Sequence, residues 1–329
     1  MFYVRSPLRI TFGGGGSDLP WYYKKFGGYV LTTAIDKNIH LFGIKRVYDK
    51  KIWLSYSKNE VVDDLNQIKN EIIKECFKKF KIKNSIELHT LSDVPGNSGL
   101  GSSGAFISAV LKFCSILNKK KLKKYELASL GCELEMKGLK KNSGLQDQFI
   151  SVFGGFIEMK INKKGKVKIN NLNLDDKIKK KFINSTVTFY TKITRDSEQI
   201  LKNQKKTFIS DKNKELQMHK IVSIGKKIKK NLLDGNVIKV GKLFNEHWLI
   251  KKNLSKNMSN KKINQIYDIA MKTGAYGGKI IGAGGGGYLM FVIDKSKKKK
   301  LINNLSKFKL PILKWNFVKQ GTYSSKESI

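Results

Sequence analysis

The stretch Asp93-Val-Pro-Gly-Asn-Ser-Gly-Leu-Gly-Ser-Ser-Gly-Ala105 decides how the rest of the chain is read. It follows a strand-like run, Ser85-Ile-Glu-Leu-His-Thr-Leu91, in which Ile86, Leu88 and Thr90 alternate with polar residues. It precedes Ala105-Phe-Ile-Ser-Ala-Val-Leu-Lys-Phe-Cys-Ser-Ile-Leu117, which reads as a helix. Glycine and serine put no bulk in the loop, so its N–H groups can converge on one centre. The helix start adds partial positive charge there. That suits a polyphosphate; a plain strand-to-helix turn is the competing reading. Ser102 and Ser103 offer hydroxyls to a phosphate or a metal ion. Gly99-Leu-Gly-Ser-Ser-Gly104 spells G-x-G-x-x-G, but a dinucleotide site needs an acidic residue about 20 positions on. Here that region is the lysine turn Asn118-Lys-Lys-Lys-Leu-Lys-Lys124. A nucleotide P-loop needs Lys after its last glycine, and Gly104 is followed by Ala105.

Two further glycine loops stand outward from this one. Strand-like segments at 2–5 and 8–12 lead into Gly13-Gly-Gly-Gly-Ser-Asp18, where bare backbone can meet a ligand closely. Asp18 offers an acceptor pair to sugar hydroxyls, or serves as a turn former. Near the other end, Lys279-Ile-Ile-Gly-Ala-Gly-Gly-Gly-Gly-Tyr288 leads into an apolar strand. Further strands are expected at 29–35, 40–47, 52–56, 186–191 and 314–319, and helices at 61–80, 124–138, 197–206, 214–233, 237–249 and 261–273. On a helical wheel over 124–138, Ala128, Cys132, Glu135 and Leu139 share one narrow face. A carboxylate in that apolar stripe needs a metal or a buried Lys or Arg. Asp147, in Gly144-Leu-Gln-Asp-Gln148, is either a helix N-cap or a catalytic acid. Arg195 has the planar fork for a phosphate, or for a surface pair with Asp196 or Glu198.

Length and composition frame these motifs. At 329 residues, with 40% hydrophobic and 10% aromatic content, the chain suits a soluble globule of two domains, taken as 1–185 and 186–329. Strands framing several helices indicate an α+β fold. No apolar run is long enough for a bilayer, and Met1-Phe-Tyr-Val-Arg-Ser-Pro7 lacks the signal-peptide pattern. Cys76, Cys114 and Cys132 read as reduced core thiols of a cytoplasmic protein. The net charge of +39 comes mostly from lysines spread over the chain, without an aromatic stacking pattern or a nucleic-acid motif. It reads as a basic surface that attracts anionic small molecules, with no specific nucleic-acid partner and no membrane.

Three glycine-bearing motifs in this order resemble the GHMP kinase superfamily: Ser6-Pro-Leu-Arg-Ile-Thr-Phe-Gly-Gly-Gly-Gly-Ser-Asp18, Pro95-Gly-Asn-Ser-Gly-Leu-Gly-Ser-Ser-Gly-Ala105 and Ile281-Gly-Ala-Gly-Gly-Gly-Gly287. The Gly-Gly-Gly-Gly-Ser-Asp form, with Gly-Leu-Gln-Asp-Gln and Thr-Arg-Asp, is most similar to the D-glycero-D-manno-heptose 7-phosphate kinase branch. The resemblance implies a two-domain α+β kinase with a ferredoxin-like second half, using ATP and Mg2+. It implies ATP phosphates at Pro95, Gly96, Gly99, Leu100, Gly101, Ser102, Ser103 and Gly104, and the metal at Ser103 and Glu135. Asp147 would orient or deprotonate the attacking hydroxyl beside Arg9. Substrate would meet Gly14, Gly15, Gly16, Ser17, Asp18, Arg195, Gly284 and Gly285. The implied reaction phosphorylates the anomeric hydroxyl of a heptose 7-phosphate, toward activated heptose for surface glycans. The alternatives are another, unphosphorylated sugar as acceptor, and a basic nucleic-acid-binding protein on a kinase-like scaffold. Gly104 departs from the family's usual Ala or Ser, which a helix start should tolerate.

Overall fold

The computed structural model describes residues 1–194 and 196–326. In chain order, the first part holds β1 (Phe2–Gly13), α1 (Pro20–Phe26), β2 (Gly28–Lys45), β3 (Ile52–Ser55), β4 (Asn59–Val62), α2 (Glu71–Lys79), β5 (Ile86–Ser92), α3 (Ser102–Leu117), α4 (Lys124–Glu133), α5 (Gln146–Phe153), β6 (Phe156–Ile161), β7 (Val167–Asn171) and α6 (Asp176–Asn184). There follow β8 (Thr186–Tyr190), α7 (Ser197–Ser210), α8 (Lys212–Leu233), α9 (Val237–Lys251), α10 (Lys261–Lys272), β9 (Ala275–Ile280), β10 (Tyr288–Ile293), α11 (Lys298–Asn304) and β11 (Tyr323–Lys326). Several helix starts are written in the sequence. Asn70, Asp175, Asp196, Asp211, Asn236 and Asn260 each accept a backbone N–H from the first turn.

The larger sheet runs β11-β1-β2-β5-β3-β4, with β6 and β7 joined to the other end of β2. β2 is one long strand where two were expected at 29–35 and 40–47. The polar Asp36-Lys37-Asn38 suggests a break, but pairing with β1 is interrupted only by a bulge after Ala34↔Arg9 and resumes at Asn38↔Pro7 and Ile39↔Ser6. The expected helix over 61–80 shrinks to α2. Its first residues instead finish the β3–β4 hairpin, and Asn70 caps the helix where it does begin.

The second sheet is antiparallel, in the order β8-β10-β9, and Ile312 makes an isolated bridge to Phe189 on its outer edge. With that bridge counted as a fourth position, the order is 4-1-3-2 and the helices fall where a ferredoxin-like β-α-β-β-α-β unit has them. Along β10, Leu289, Phe291 and Ile293 face one buried cluster while Met290 and Val292 face the main core, the period of two that a doubly covered strand requires. The strand expected at 314–319 does not form. Trp315 is buried and Phe317 only bridges Ile35, while the final strand, Tyr323–Lys326, returns to pair with β1. A division at 185/186 falls between α6 and β8, yet the chain end belongs to the first sheet.

One aromatic group joins the two parts. The Phe12 ring lies 5.8 Å from Phe156, 5.5 Å from Phe182, 6.2 Å from Phe244 on α9 and 6.2 Å from Phe317. Phe12 is fully buried. Phe12→Ala should cost about 3–5 kcal/mol in urea unfolding, with both parts losing stability in one transition. A second transition that leaves residues after 186 unaffected would show that the parts do not share this core.

Among the described residues no helix is long and apolar enough to cross a membrane. The three cysteines are buried and unbridged, and burial pushes each thiol up.

Candidate active site

The cleft between the two sheets is built around the start of α3. This helix is buried nearly all round, so propensity matters less than packing. Unlike α2 and α6 to α10, it has no side-chain cap: Gly101 stands at its N-cap in the left-handed region, at φ 78°. Its first N–H groups are therefore left for a ligand, where the helix dipole favours negative charge. A side chain at Gly101 would also lie 3.0 Å from Arg9.

Arg9 binds this loop to the chemistry beside it. A register shift in β1 between Pro7 and Arg9 breaks the ladder with β2; such bulges re-aim side chains. Arg9 and Thr11 then point the same way, onto α5. Arg9 Nε donates to Asp147 Oδ1 at 2.8 Å and Nη2 to Oδ2 at 3.0 Å. Its Nη1 donates to the Gly99 carbonyl, and its backbone N–H to Leu100 O at 2.9 Å. The guanidinium is almost wholly buried, whereas the Asp147 side chain is 26% exposed and lines the cleft. Asp147 is not an N-cap. Leu145 holds that position, and the Asp147 carboxylate is committed to Arg9 in a bidentate pair.

Gly104 has a reason to be glycine that the sequence does not show. It sits in the first turn of α3, and a Cβ there would come within 2.6 Å of Asp147 Cβ and 3.0 Å of its backbone. The bare position lets α3 and α5 close on each other and sets the depth of Asp147 in the cleft.

Glu135 lies beyond the end of α4, in a π-helical turn from Leu134 to Gly138 that closes through Leu139 N to Leu134 O at 2.9 Å. The 3.6-residue wheel puts Glu135 on the buried face correctly, but the wider turn carries Leu139 off that face to half-burial. Such turns recur at functional sites. Glu135 is 6% exposed. Among the described residues no Lys or Arg pairs with it. Instead Ser103 Oγ donates to its Oε1 at 2.7 Å and Gln148 Nε2 to its Oε2 at 2.6 Å. Burial raises its pKa; these hydrogen bonds oppose the shift.

Asp18 is the third carboxylate of the cleft and is 1% exposed. It accepts from Gly16 N at 3.1 Å, Gln146 N at 3.2 Å and Gln146 Nε2 at 3.4 Å. Burial and then the nearby Asp147 charge raise its pKa. Thr11 Oγ1 donates to Gln146 Oε1 at 2.7 Å, which ties Asp18 to β1 through one glutamine.

The expected site residues divide into two groups. Arg9, Gly15, Gly16, Asp18, Gly99, Gly101, Ser102, Ser103, Glu135 and Asp147 line one cleft. Pro95 and Gly96 lie exposed outside it, Leu100 is core, and Gly104 is buried under Asp147. Gly14 packs on the Tyr29 carbonyl, and Ser17 does not present its hydroxyl to a substrate. It donates to Gly14 O and Tyr29 O, both at 2.7 Å, and accepts from Tyr29 N, so it closes the loop from behind. Gly284 and Gly285 lie against Met258; it is Gly282 and Ala283 that line the cleft. Arg195 lies outside the described residues. Sequence reading missed Gln146, Gln148, His247, Lys251 and Lys279. The last three were legible as polar residues in apolar company: Phe244, His247, Trp248 and Lys251 fall on one helical face, and Lys279 stands in an otherwise apolar strand.

The family description "GHMP kinases N terminal domain" matches residues 66–155, and "GHMP kinases C terminal" matches 228–310. The D-glycero-alpha-D-manno-heptose 7-phosphate kinase of Campylobacter jejuni is 35% identical over 98% of both chains. The mevalonate kinase of Methanocaldococcus jannaschii is 29% identical over 86% of this chain and 90% of its own. In fold, a D-glycero-D-manno-heptose 1-phosphate kinase from B. thetaiotaomicron superposes with a TM-score of 0.83 at 24% identity, covering 100% of both chains.

Proposed function

The chain belongs to the GHMP kinase family, and from that premise we propose that this ATP-dependent sugar kinase phosphorylates the anomeric hydroxyl of D-glycero-D-manno-heptose 7-phosphate. The observation that supports it best is the junction at Arg9. One guanidinium holds both the phosphate-loop carbonyl of Gly99 and the carboxylate of Asp147. A phosphate over the α3 start and a hydroxyl at Asp147 are thereby held side by side.

In the proposed reaction the acceptor oxygen attacks the γ-phosphorus while its proton passes to an Asp147 oxygen. The bond from that phosphorus to the β–γ bridging oxygen breaks, and ADP leaves. Arg9 balances the charge of Asp147 and holds it against the loop. Asp18 and the bare backbone of Gly15 and Gly16 receive the sugar's other hydroxyls. Arg195 is assigned to the phosphate the sugar already carries. Positioning and fixed charge do most of the work in such transfers.

The Ser103 hydroxyl and Glu135 carboxylate are hard oxygen donors 2.7 Å apart, the kind of set Mg2+ takes when it is held by one carboxylate and by substrate phosphates. No group of three or more His, Cys, Asp or Glu among the described residues competes for it. Held there by Ser103 and Glu135, the ion would supply positive charge against the charge that develops in phosphoryl transfer. The product would enter a route to activated heptose for surface glycans.

A panel of sugars tests the proposal by ADP release: heptose 7-phosphate, heptose 1-phosphate, unphosphorylated heptose and common hexoses. Heptose 7-phosphate should give the highest kcat/KM, with the new phosphate on C1. A preference for an unphosphorylated sugar would assign the enzyme another substrate. Arg195→Ala should raise KM for the phosphorylated sugar more than KM for ATP. Equal changes in both would count against its assignment.

A further inference from the structure

Three basic side chains of the second part meet at the floor of the cleft, and the reaction described above leaves them unused. His247, on α9, is 1% exposed, and neither of its ring nitrogens has a hydrogen-bond partner. Lys279, on β9, is 3% exposed; its Nζ donates to the carbonyls of Thr11 at 3.0 Å and Phe12 at 2.9 Å. No carboxylate among the described residues lies within ion-pairing distance of Lys279. Lys251 donates to Gly282 O, the first glycine of the third loop. All three line the cleft.

Two physical costs stand out. A buried polar group left unsatisfied costs roughly 1–3 kcal/mol, and a buried charge without a counter-charge costs more. A fold that simply needed filler would place apolar residues beside Phe244 and Trp248. Burial, and then repulsion from neighbouring cations (Lys279 and Lys251 on His247, Lys251 and Arg9 on Lys279), pushes both toward their neutral forms, and an anion in the cleft would oppose that shift. Of the acidic side chains that line the cleft, Asp147 is held by Arg9, Glu135 by Ser103 and Gln148, and Asp18 by Gln146 and Gly16, while Asp196 caps α7 and Glu198 stands in its first turn. None of these carboxylates pairs with Lys279, and a phosphate entering the cleft would bring it a counter-charge and His247 an acceptor.

We propose that His247 and Lys279, with Lys251, form a pocket for a phosphate group of a bound substrate, His247 giving a ring N–H to a phosphate oxygen and Lys279 the charge. The position favours the phosphate carried by the acceptor, because Lys279 is anchored on the residues that lead into the Gly13–Gly16 loop. The terminal phosphate of the nucleotide shares the same chemistry. The pocket deepens the proposed function and rests on it only for the identity of the sugar.

The test uses His247→Leu, which removes both ring nitrogens and keeps the bulk, and Lys279→Gln, which keeps a donor for the Thr11 and Phe12 carbonyls and removes the charge. Thermal unfolding confirms that each variant is folded. KM is measured for heptose 7-phosphate, unphosphorylated heptose and ATP. Loss of one hydrogen bond to a charged group should raise the affected KM roughly tenfold to a hundredfold. A rise for heptose 7-phosphate that spares unphosphorylated heptose places the acceptor's phosphate in the pocket. A rise for ATP alone places the nucleotide's there. Unchanged KM values, or equal losses for both sugars with ATP unaffected, overturn the proposal. If the wild type uses no heptose phosphate, the sugar assignment fails separately. The pocket is then read by calorimetry with inorganic phosphate, where binding lost in both variants supports it and binding equal to wild type overturns it.

Discussion

Asp147→Asn is expected to lower kcat by roughly 10²–10⁴, the range for removing a general base, while ATP still binds. The amide keeps the size of the carboxylate but cannot take a proton from the acceptor. It also turns an N–H2 toward Arg9, which offers only donors. Arg9 would keep its hold on the Gly99 carbonyl, so the phosphate loop should stay in place. The variant carries a stability cost as well, because breaking a buried pair leaves a charge uncompensated, by about 3–5 kcal/mol in a fully buried setting. The Asp147 side chain is 26% exposed, so the cost should fall below that range. Activity must therefore be measured well below the variant's unfolding temperature. Near-normal turnover in a folded variant would remove Asp147 from the chemistry. A turnover loss matched by lost nucleotide binding would make it a loop-holding residue.

Glu135→Gln is expected to abolish most activity and yet leave the ligand-free protein as stable as the wild type or more so. The function should fall roughly 10²-fold or more, since a charge-neutralising contact worth several kcal/mol in the transition state is lost, and the Mg2+ concentration for half-maximal rate should rise. The stability sign follows from burial, which raises the pKa of Glu135 in the fold above its ordinary value near 4.5. A carboxyl with a raised folded pKa favours the fold below the unfolded value and loses that contribution as pH rises through the folded value. At pH 7 the ionised Glu135 is thus a liability that glutamine removes. Ser103 can rotate its hydroxyl to suit the amide, so both neighbours keep a partner. The same reasoning predicts that the difference in melting temperature between variant and wild type shrinks as pH falls from 7 toward 4.5. A variant less stable than wild type at pH 7, with an unchanged Mg2+ requirement, would assign Glu135 a structural role.

The sites that could be read from sequence are those whose chemistry is local. The loop from Gly99 to Ser103 announces itself because a run of Gly and Ser before an apolar helix leaves backbone N–H groups free of bulk at the helix start. Asp18 and Asp147 stand out as acids beside glycine turns. Glu135 was legible through its burial, even though the helix that carries it widens into a π turn. Gly104 was not legible: its reason is the approach of α5, some forty positions away in sequence. Ser17 looked like a ligand because a hydroxyl beside glycines usually faces outward; here two carbonyls from β2 and its own loop claim it. Long-range pairing also decided the fold details that went astray. β2 runs on past its polar centre because β1 pairs with it on either side of the bulge, at Arg9↔Ala34 and Pro7↔Asn38, and the tail passes the expected strand at 314–319 to reach the free edge of β1. His247, Lys251 and Lys279 form a cluster only once α9 and β9 pack beneath β1. Each is a visible anomaly in its own element, and none points to the others from sequence alone.

The central claim is that phosphate loop, carboxylate pair and acceptor share one cleft organised by Arg9. A crystal structure with a non-hydrolysable ATP analogue, Mg2+ and heptose 7-phosphate tests it most directly. The terminal phosphate should sit over the first turn of α3, with the metal on Ser103 and Glu135. The C1 hydroxyl should lie within about 2.6–3.2 Å of an Asp147 oxygen and in line with the γ-phosphorus. A nucleotide bound away from residues 99–103, or a sugar whose C1 faces away from Asp147, would contradict it.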